Sequence, residues 1–467
     1  MEEVDVVIVG GGFAGMCAAR AIGRLGKKVL VLEARTGSDP RFRGELMHPP
    51  AVEVLRELDL LEALVADGGV MVDGFATVLG EGKSLVELPY AEAGGPSCKG
   101  FSMEHPKMVA CFRREIGRDS GVTLRTGVKV HELLLQDSKV VGVRTDEGDI
   151  YAPLTVVADG RHSKLRKSLG FPENTRLLSY TAALLVEDGE LPRPGHGHVF
   201  YGPFGPILAY PIDGGRVRMC IDVPVDVEKG RENVVAFLRD HCAPHVPSPL
   251  RAAMERALDV HELEMCATHS ISTRRCAARG VVLIGDSCGC AHPITAAGMM
   301  VALHDIAVLS DELGQESDLD KVLLRYQDRR YEFVRAREIL TDGLYDVFRL
   351  DDPGAQAMRD GLQEYWTSGP KARAASMALL AGLESRLVSF IAEYFSVVGR
   401  SARAVAGKGL PGLSGLGRTA RTQLVRTSEL VLNDLRRRLP VQTQLVFGAR
   451  VAERLLGRGV DHASAPS

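Results

Sequence analysis

Residues 4–15 read VDVVIVGGGFAG, and the change of character along this run decides how the chain folds. Residues 4–9 are mostly β-branched and almost continuously apolar, the pattern of a strand buried on both faces. Residues 10–15 then fit G-x-G-x-x-G, a helical run follows over 16–26, and a second strand over 28–32 ends at Glu33. Each glycine has its own task. Gly10 permits the tight turn, Gly12 admits a pyrophosphate to the backbone, and Gly15 lets helix and strand pack closely. Phosphate is further attracted by the unpaired N–H groups of the helix N-terminus. Glu33 stands about 20 residues on, where a carboxylate accepts hydrogen bonds from ribose hydroxyls. Glycine-rich turns alone are weak signals; here strand, helix, second strand and acid arrive in register, which predicts a Rossmann-like dinucleotide site.

That motif does not separate FAD from NAD, but two later segments do. Residues 152–166 (APLTVVADGRHSKLR) read as a strand ending in Asp159-Gly160, with Ser163 placed to cap a helix. Residues 281–286 (VVLIGD) form another buried strand ending in Asp286, followed by Pro293, Gly298-Met299 and a helix through Asp305. This order of motifs resembles the single-component flavoprotein hydroxylases. The resemblance implies FAD, with Asp286 at the ribityl-phosphate region and the helix N-terminus at 298 beside the flavin. Negative charge on the reduced ring is stabilised there by the helix dipole.

Within that superfamily the wording is similar to the squalene epoxidase (squalene monooxygenase) family. The similar stretches are residues 41–50 (RFRGELMHPP), 88–90 (LPY), 152–160, 198–211 (HVFYGPFGPILAYP) and 292–303 (HPITAAGMMVAL), and the likeness extends from about residue 4 to about residue 450. By position it places FAD contacts on Phe13, Ala14, Glu33, Ala34, Arg41, Arg113, Lys129, Asp286 and Met299, with Gly10, Gly12, Gly15, Asp159, Pro293 and Gly298 in the surrounding motifs. Three positions depart from the family pattern. Ala34 replaces an arginine often found after the ribose acid, and Lys129 occupies a usually apolar position. His48 stands where Gln is typical, beside the expected partner of Tyr90. By the same resemblance, the N-terminal membrane anchor of the eukaryotic enzymes is not expected.

The activity implied is insertion of one oxygen atom from O2 into an isoprenoid alkene through an electrophilic flavin hydroperoxide, with squalene giving (S)-2,3-oxidosqualene in a sterol or triterpenoid pathway as the first expectation. Such chemistry belongs to the cofactor, while the protein orients the substrate and excludes water. Few titrating catalytic residues are then needed, and no nucleophile–base constellation stands out. Tyr90 is the candidate polar group that orients the site, the alternative being a core tyrosine; His48 is either its neighbour or a structural histidine. Cys288-Gly289-Cys290 invites thoughts of covalent flavin or a redox pair, but small residues in a helix-entry loop explain it more simply. His196 and His198 have no further ligands near in sequence, so no metal is expected. Two rival readings remain. One is epoxidation or hydroxylation of a prenylated aromatic or quinoline in secondary metabolism; the other, from a different class, is a flavin-dependent reductase of isoprenoid double bonds. Electrons are expected from NAD(P)H, directly or through a partner reductase, since no second glycine fingerprint appears.

Composition sets the frame. The chain has 467 residues, 45% hydrophobic and 25% charged, with a formal net charge of −3, so nothing calls for nucleic acid. Nine cysteines without a C-x-x-C pair suggest free thiols in a reducing cytoplasm. No run approaches the roughly 18 apolar residues of a membrane span; the nearest, residues 387–398, is short and contains Glu393. The expected architecture is α/β: a discontinuous FAD-binding domain over 1–175 and 265–340, with part of 40–125 lining the active site. An antiparallel-sheet substrate domain over 176–264 is interleaved with it, with turns at 192–195 and 213–215. A helical C-terminal region over 341–458 follows, with helices at 372–387, 388–405 and 419–438, a Gly/Pro-rich break at 407–417 and a disordered tail at 459–467. Phe390, Ile391, Tyr394 and Phe395 beside an arginine-rich surface suit a helix lying on anionic lipid, which would place the protein peripherally on the cytoplasmic face of a membrane. The alternative is a helical cap with a solvated charged face.

Overall fold

The computed structural model describes residues 2–406, apart from 38–41, 79–83, 172, 203, 261–262, 274 and 350–352. The predicted break at 407–417, the helix at 419–438 and the tail at 459–467 lie outside the described residues.

The run that opened the sequence forms the strand Val6–Val9, all four residues buried, and leads through the glycine turn into the helix Phe13–Gly23. A six-stranded sheet is built around it in the order Ala277–Ala278, Val281–Leu283, Leu154–Val157, Val6–Val9, Val29–Glu33, Val122–Thr126. Every pairing is parallel except the one at the short Ala277–Ala278 edge. Strands enclosed on both faces need apolar residues at every position rather than at alternate ones, which is why VVIV, LTVV and VVL are wholly buried. The helix Gly298–Gln315 shares the core of this sheet through Met300, Leu303 and Ile306, together with Met16 and Ile22 of the first helix. The 31-residue helix Leu319–Arg349 is tied to the same sheet by the buried Tyr326 hydroxyl, which donates to the Leu283 carbonyl at 2.8 Å.

The second large sheet has seven strands in the order Glu264–Thr273, Glu173–Val186, Val217–Val223, Gly205–Pro211, His196–Gly202, Gly74–Val78, Val86–Pro89. It is antiparallel but for the parallel pairing of His196–Gly202 with Gly74–Val78. The predicted turns fall where expected, the second as a short turn Asp213–Gly215. Because side chains alternate across a strand, Phe200, Ile207, Ala209, Met219 and Ile221 pack on one face with the helices Arg231–Phe237 and Ser248–Val260. Val199, Leu208, Tyr210, Cys220 and Asp222 occupy the other face and line a cavity.

The helical region differs from the sequence expectation in three ways: the helix Leu319–Arg349 runs through the expected boundary at 340/341, the helix Pro353–Thr367 is additional to those expected, and one expected helix ends early. The helix anticipated over 372–387 is Pro370–Ala381, ended by Gly382 in the left-handed conformation (φ 79°); glycine is the residue that stops a helix in this way. The last described helix, Leu387–Ala406, follows. Among the described residues no helix is long and apolar enough to cross a membrane. All nine cysteines are unpaired.

Candidate active site

One cavity of about 1080 Å³ runs along the carboxyl ends of the parallel strands, the place where open α/β sheets bind ligands. At its nucleotide end Gly10 adopts φ 109°, and a Cβ there would stand 2.4 Å from the Ala158 carbonyl oxygen. Gly15 is packed harder still, since its Cβ would lie 1.8 Å from the Gly10 oxygen. Gly12 is the opposite case, with nothing of the protein within 4 Å of a Cβ. Helix and strand are thus in contact at Gly15, while the open space beside Gly12 is a cradle for a pyrophosphate. Glu33 closes the end of its strand, accepting from the Gly11 N–H at 2.8 Å and the Arg35 N–H at 2.9 Å. Arg113 pins the same loop by donating to the Gly11 carbonyl at 3.2 and 3.0 Å and to the Gly37 carbonyl at 3.2 Å.

The other expected cofactor residues converge on this cavity. Phe13, Ala14, Ala34, Lys129, Asp159, Asp286, Pro293, Gly298 and Met299 all line it, along with Gly10, Gly12, Glu33 and Arg113. Gly15 lies buried beneath it, and Arg41 is outside the described residues. Both backbone groups of Lys129 are engaged with Asp146, at 2.9 Å from its N–H and 3.3 Å at its carbonyl. The protein around Asp159 pushes its carboxyl above the ordinary value, against hydrogen bonding by Ser163. Asp286 sits in the single turn Gly285–Ser287 with Arg161 3.8 Å away. That turn is held by Asp305, which accepts from the Gly285 N–H at 2.8 Å and pairs with Arg330 at 2.9 Å in the core. Gly298 opens the long helix with no protein atom within 4 Å of a Cβ, so a second helix N-terminus faces the cavity. Two glycine cradles, a ribose-side acid, a turn-borne acid and two helix N-termini fit FAD.

His48 and Tyr90 do not line the cavity; they are fully buried behind it. His48 precedes the helix Pro49–Glu57, and its two ring nitrogens have different partners. Nε2 is 2.7 Å from the Thr295 carbonyl, which can only accept, so Nε2 carries the proton. Nδ1 therefore accepts from the Tyr90 hydroxyl at 2.8 Å. Burial lowers the His48 pKa from 6.5 to about 4, in keeping with a neutral ring. Burial likewise holds the Tyr90 hydroxyl well above its usual range. Thr295 itself lines the cavity, so the pair is joined to the cavity wall through that residue.

This assignment predicts a pH effect. An unfolded histidine takes up a proton near 6.5 while folded His48 resists until about 4. The contribution to stability is therefore complete above 6.5 and lost as pH falls through that window, about 3 kcal/mol in all. His198 and His304 are also lowered to about 4 by burial and act in the same direction. His48→Gln keeps a donor for Thr295 and an acceptor for Tyr90, and should lower the slope of unfolding free energy against pH between pH 4.5 and 6.5. A slope unchanged in urea unfolding would show that His48 titrates normally in the folded state.

Three groups were not singled out from sequence. Glu45 accepts two hydrogen bonds from Arg218, at 2.8 and 3.0 Å, and one from the Tyr210 hydroxyl at 3.1 Å. Asp222 accepts from Ser179, from His292 Nε2 at 3.2 Å and from the Tyr345 hydroxyl at 3.3 Å. Ser179, Asp222 and His292 are not a hydrolytic triad, because the serine hydroxyl donates to the carboxylate and not to the imidazole. Arg337, on the wall, donates to carbonyls at the end of Pro370–Ala381 and to the Glu384 carbonyl at 2.8 Å. A signal for the first two groups lay in the strand Val217–Val223, where Arg218, Cys220 and Asp222 put polar atoms on one face of an otherwise apolar run. Cys288 and Cys290 line the cavity as unpaired thiols. His198 uses both ring nitrogens locally, with the His196 carbonyl at 3.0 Å and the Arg193 N–H at 3.1 Å.

Comparison with known proteins agrees with this geometry. An FAD binding domain family matches residues 5–42, and the squalene epoxidase family matches residues 151–406. Squalene epoxidase 2 of Arabidopsis thaliana is 33% identical over 408 residues, covering 84% of this chain and 69% of the plant protein. Squalene epoxidase erg1 of Schizosaccharomyces pombe is 26% identical over 85% of this chain and 90% of its own. Among solved structures, p-nitrophenol 4-monooxygenase PnpA of Pseudomonas putida superposes with a TM-score of 0.70 at 21% identity, over 82% of this chain and 99% of its own. The flavin-dependent brominase Bmp2 gives 0.68 at 18%, over 87% and 100%; these likenesses concern the fold. The glycine cradle at Gly12, the turn-borne Asp286 and the helix opening at Gly298 thus belong to an FAD-dependent monooxygenase, and the chain is a member of the squalene epoxidase family.

Proposed function

We propose that the enzyme epoxidises an isoprenoid alkene, with squalene to (S)-2,3-oxidosqualene as the first reaction to test. The observation that carries this reading is the apolar wall, formed by Val199, Leu208, Ile294 and Val334, within the cavity that holds the cofactor motifs. At about 1080 Å³ the space exceeds that of a pocket for one small ligand, roughly 300–1,000 Å³, and suits cofactor and substrate together. Bound FAD, reduced by NAD(P)H directly or through a partner reductase, supplies the activation of O2. The chain supplies placement. Gly12 and Glu33 hold the nucleotide, the N-terminus at Gly298 offers unpaired N–H groups to the ring, and the apolar wall keeps water from the reacting alkene. Tyr90, its hydroxyl committed to His48, is a positioning residue acting through Thr295.

A second reading, epoxidation or hydroxylation of a prenylated aromatic or quinoline, is favoured by the polar cluster in the same wall. Glu45 and Tyr210 line the cavity, with Arg218 behind them. The deciding experiment gives the FAD-loaded protein NAD(P)H, a reductase and isotopically heavy O2 with squalene or a prenylated quinoline. One heavy oxygen in oxidosqualene supports the first reading, and label only in the quinoline product supports the second. Flavin oxidation without label in any product would overturn both.

We also propose peripheral docking on the cytoplasmic face of a membrane through the helix Leu387–Ala406. Phe390 is buried there and Tyr394 half-buried, whereas Val388 and Phe395 remain 77% and 51% exposed. Flotation with vesicles containing phosphatidylserine should recover the protein, and Phe395→Asp should reduce recovery several-fold. Equal recovery of the two proteins would remove this helix from the proposal.

A further inference from the structure

The segment from His292 to Gly298 carries a cost that its neighbours must meet. Ala296, which is not a glycine, is held left-handed at φ 47° and ψ 28°; a residue with a Cβ persists there only where its surroundings over-determine it. The next helix begins two residues later, so this kink aims the helix N-terminus at the cavity.

Two buried anchors fix the kink. On the Thr295 side, the carbonyl takes the His48 proton and the hydroxyl meets that of Thr341 at 3.0 Å. On the other side stands His292, 5% exposed. Its Nδ1 accepts the Ile294 N–H at 3.1 Å, which caps the turn Pro293–Thr295. With Nδ1 accepting, the proton lies on Nε2, which donates to Asp222 at 3.2 Å. The ring is stacked on Tyr345, centroids 3.9 Å apart, and Tyr345 donates to the second oxygen of the same carboxylate. Asp222 thus collects three donors, from Ser179 in the sheet, His292 in the kinked segment and Tyr345 in the long helix. Space for it is made by Gly205, where a Cβ would approach the Asp222 Cβ to 2.8 Å. A buried carboxylate is expensive unless fully hydrogen-bonded; two of its three donors come from His292 and from Tyr345, the ring stacked on it, so the carboxylate fixes both the tautomer and the orientation of that histidine.

We propose that Asp222 is a positioning residue for the cofactor: by holding His292 it sets the 293–297 segment and hence the placement of the Gly298 helix N-terminus against bound FAD. The inference rests on FAD as the cofactor and is independent of the substrate.

The test is FAD titration and flavin spectroscopy on the full chain, with folding read separately by thermal melting. Asp222→Ala should weaken FAD binding by about tenfold and shift both the absorption maxima and the reduction potential of the flavin. Asp222→Asn, which still accepts from His292, should restore most of the affinity and the spectrum. The double variant Asp222→Ala/His292→Ala should bind no worse than the poorer single variant, because the two residues act as one unit. If Asp222→Ala does not fold, His292→Ala and Asp222→Asn are read in the same way. A lowered melting temperature with wild-type affinity, spectrum and potential would make Asp222 merely structural and overturn the proposal, as would additive losses in the double variant. Failure of the unaltered protein to bind FAD would count against the cofactor assignment itself.

Discussion

Alanine at Gly12 is expected to give a protein that folds and melts like the parent and has lost FAD, whereas alanine at Gly15 is expected to lose both. The two glycines stand three residues apart in one loop, yet their surroundings are opposite. The space around a Gly12 Cβ is empty of protein, so the added methyl is harmless until a pyrophosphate needs the same volume. At Gly15 the Cβ would meet the Gly10 oxygen at 1.8 Å and the Gly10 carbonyl carbon at 3.0 Å, and these are backbone atoms, not the far end of a flexible side chain that could yield. Overpacking of this kind costs about 1–3 kcal/mol, and a contact between backbone atoms puts it at the upper end. Melting curves and FAD content of the purified proteins separate the cases. Equal FAD retention in Gly12→Ala would mean that the cofactor does not approach the backbone there.

Arg218→Ala should be among the most damaging substitutions away from the glycine loop. It leaves Glu45, 2% exposed, as an unpaired buried carboxylate, and breaking such a pair costs about 3–5 kcal/mol. The sign of its pH dependence is fixed by burial, which already raises the Glu45 pKa above 4.5 with Arg218 in place. Without the arginine it rises further, and a folded-state acid held above its unfolded value loses stability as pH rises through the interval between them. The deficit should therefore be largest at neutral pH and shrink toward pH 4.5. Glu45→Gln/Arg218→Met, which removes both charges, should recover much of the loss. Urea unfolding at pH 5 and pH 8 gives the answer; an equal deficit at both would show that packing, and not charge, is what Arg218 contributes.

What could be read from the sequence was whatever is local in it. The strand at 4–9, the glycine turn and Glu33 lie within about 30 residues and are fixed by backbone sterics and phosphate chemistry, so their order alone carries the site. The Asp159 and Asp286 turns were visible for the same reason, each a strand end read in place. Arg218 and Asp222 were not, because their meaning depends on partners at 45 and 292, and no periodicity announces which distant residue a strand face will meet. The placing of His48 and Tyr90 followed the same logic. Their pairing came from likeness to a family, while their burial behind Thr295 needed the folded chain. The helix end at 381 is harder to read, because Gly382 falls inside the apolar run expected as helix over 372–387, although a glycine in the left-handed conformation is a common helix stop.

The order of strands in the parallel sheet has a further consequence, in time. Leu154–Val157 is flanked by Val6–Val9 and Val281–Leu283, so one of its edges has no partner until the ribosome has gone on from residue 157 to residue 283. At roughly 5–20 residues per second, the apolar strand waits on the order of ten seconds with its hydrogen-bonding edge bare. The cofactor cannot help during that interval, since the helix that opens at Gly298 has not yet been synthesised. Nascent chains of this enzyme are thus natural clients for chaperones, and the yield of active protein should depend more on how that waiting strand is sheltered than on how much flavin is supplied.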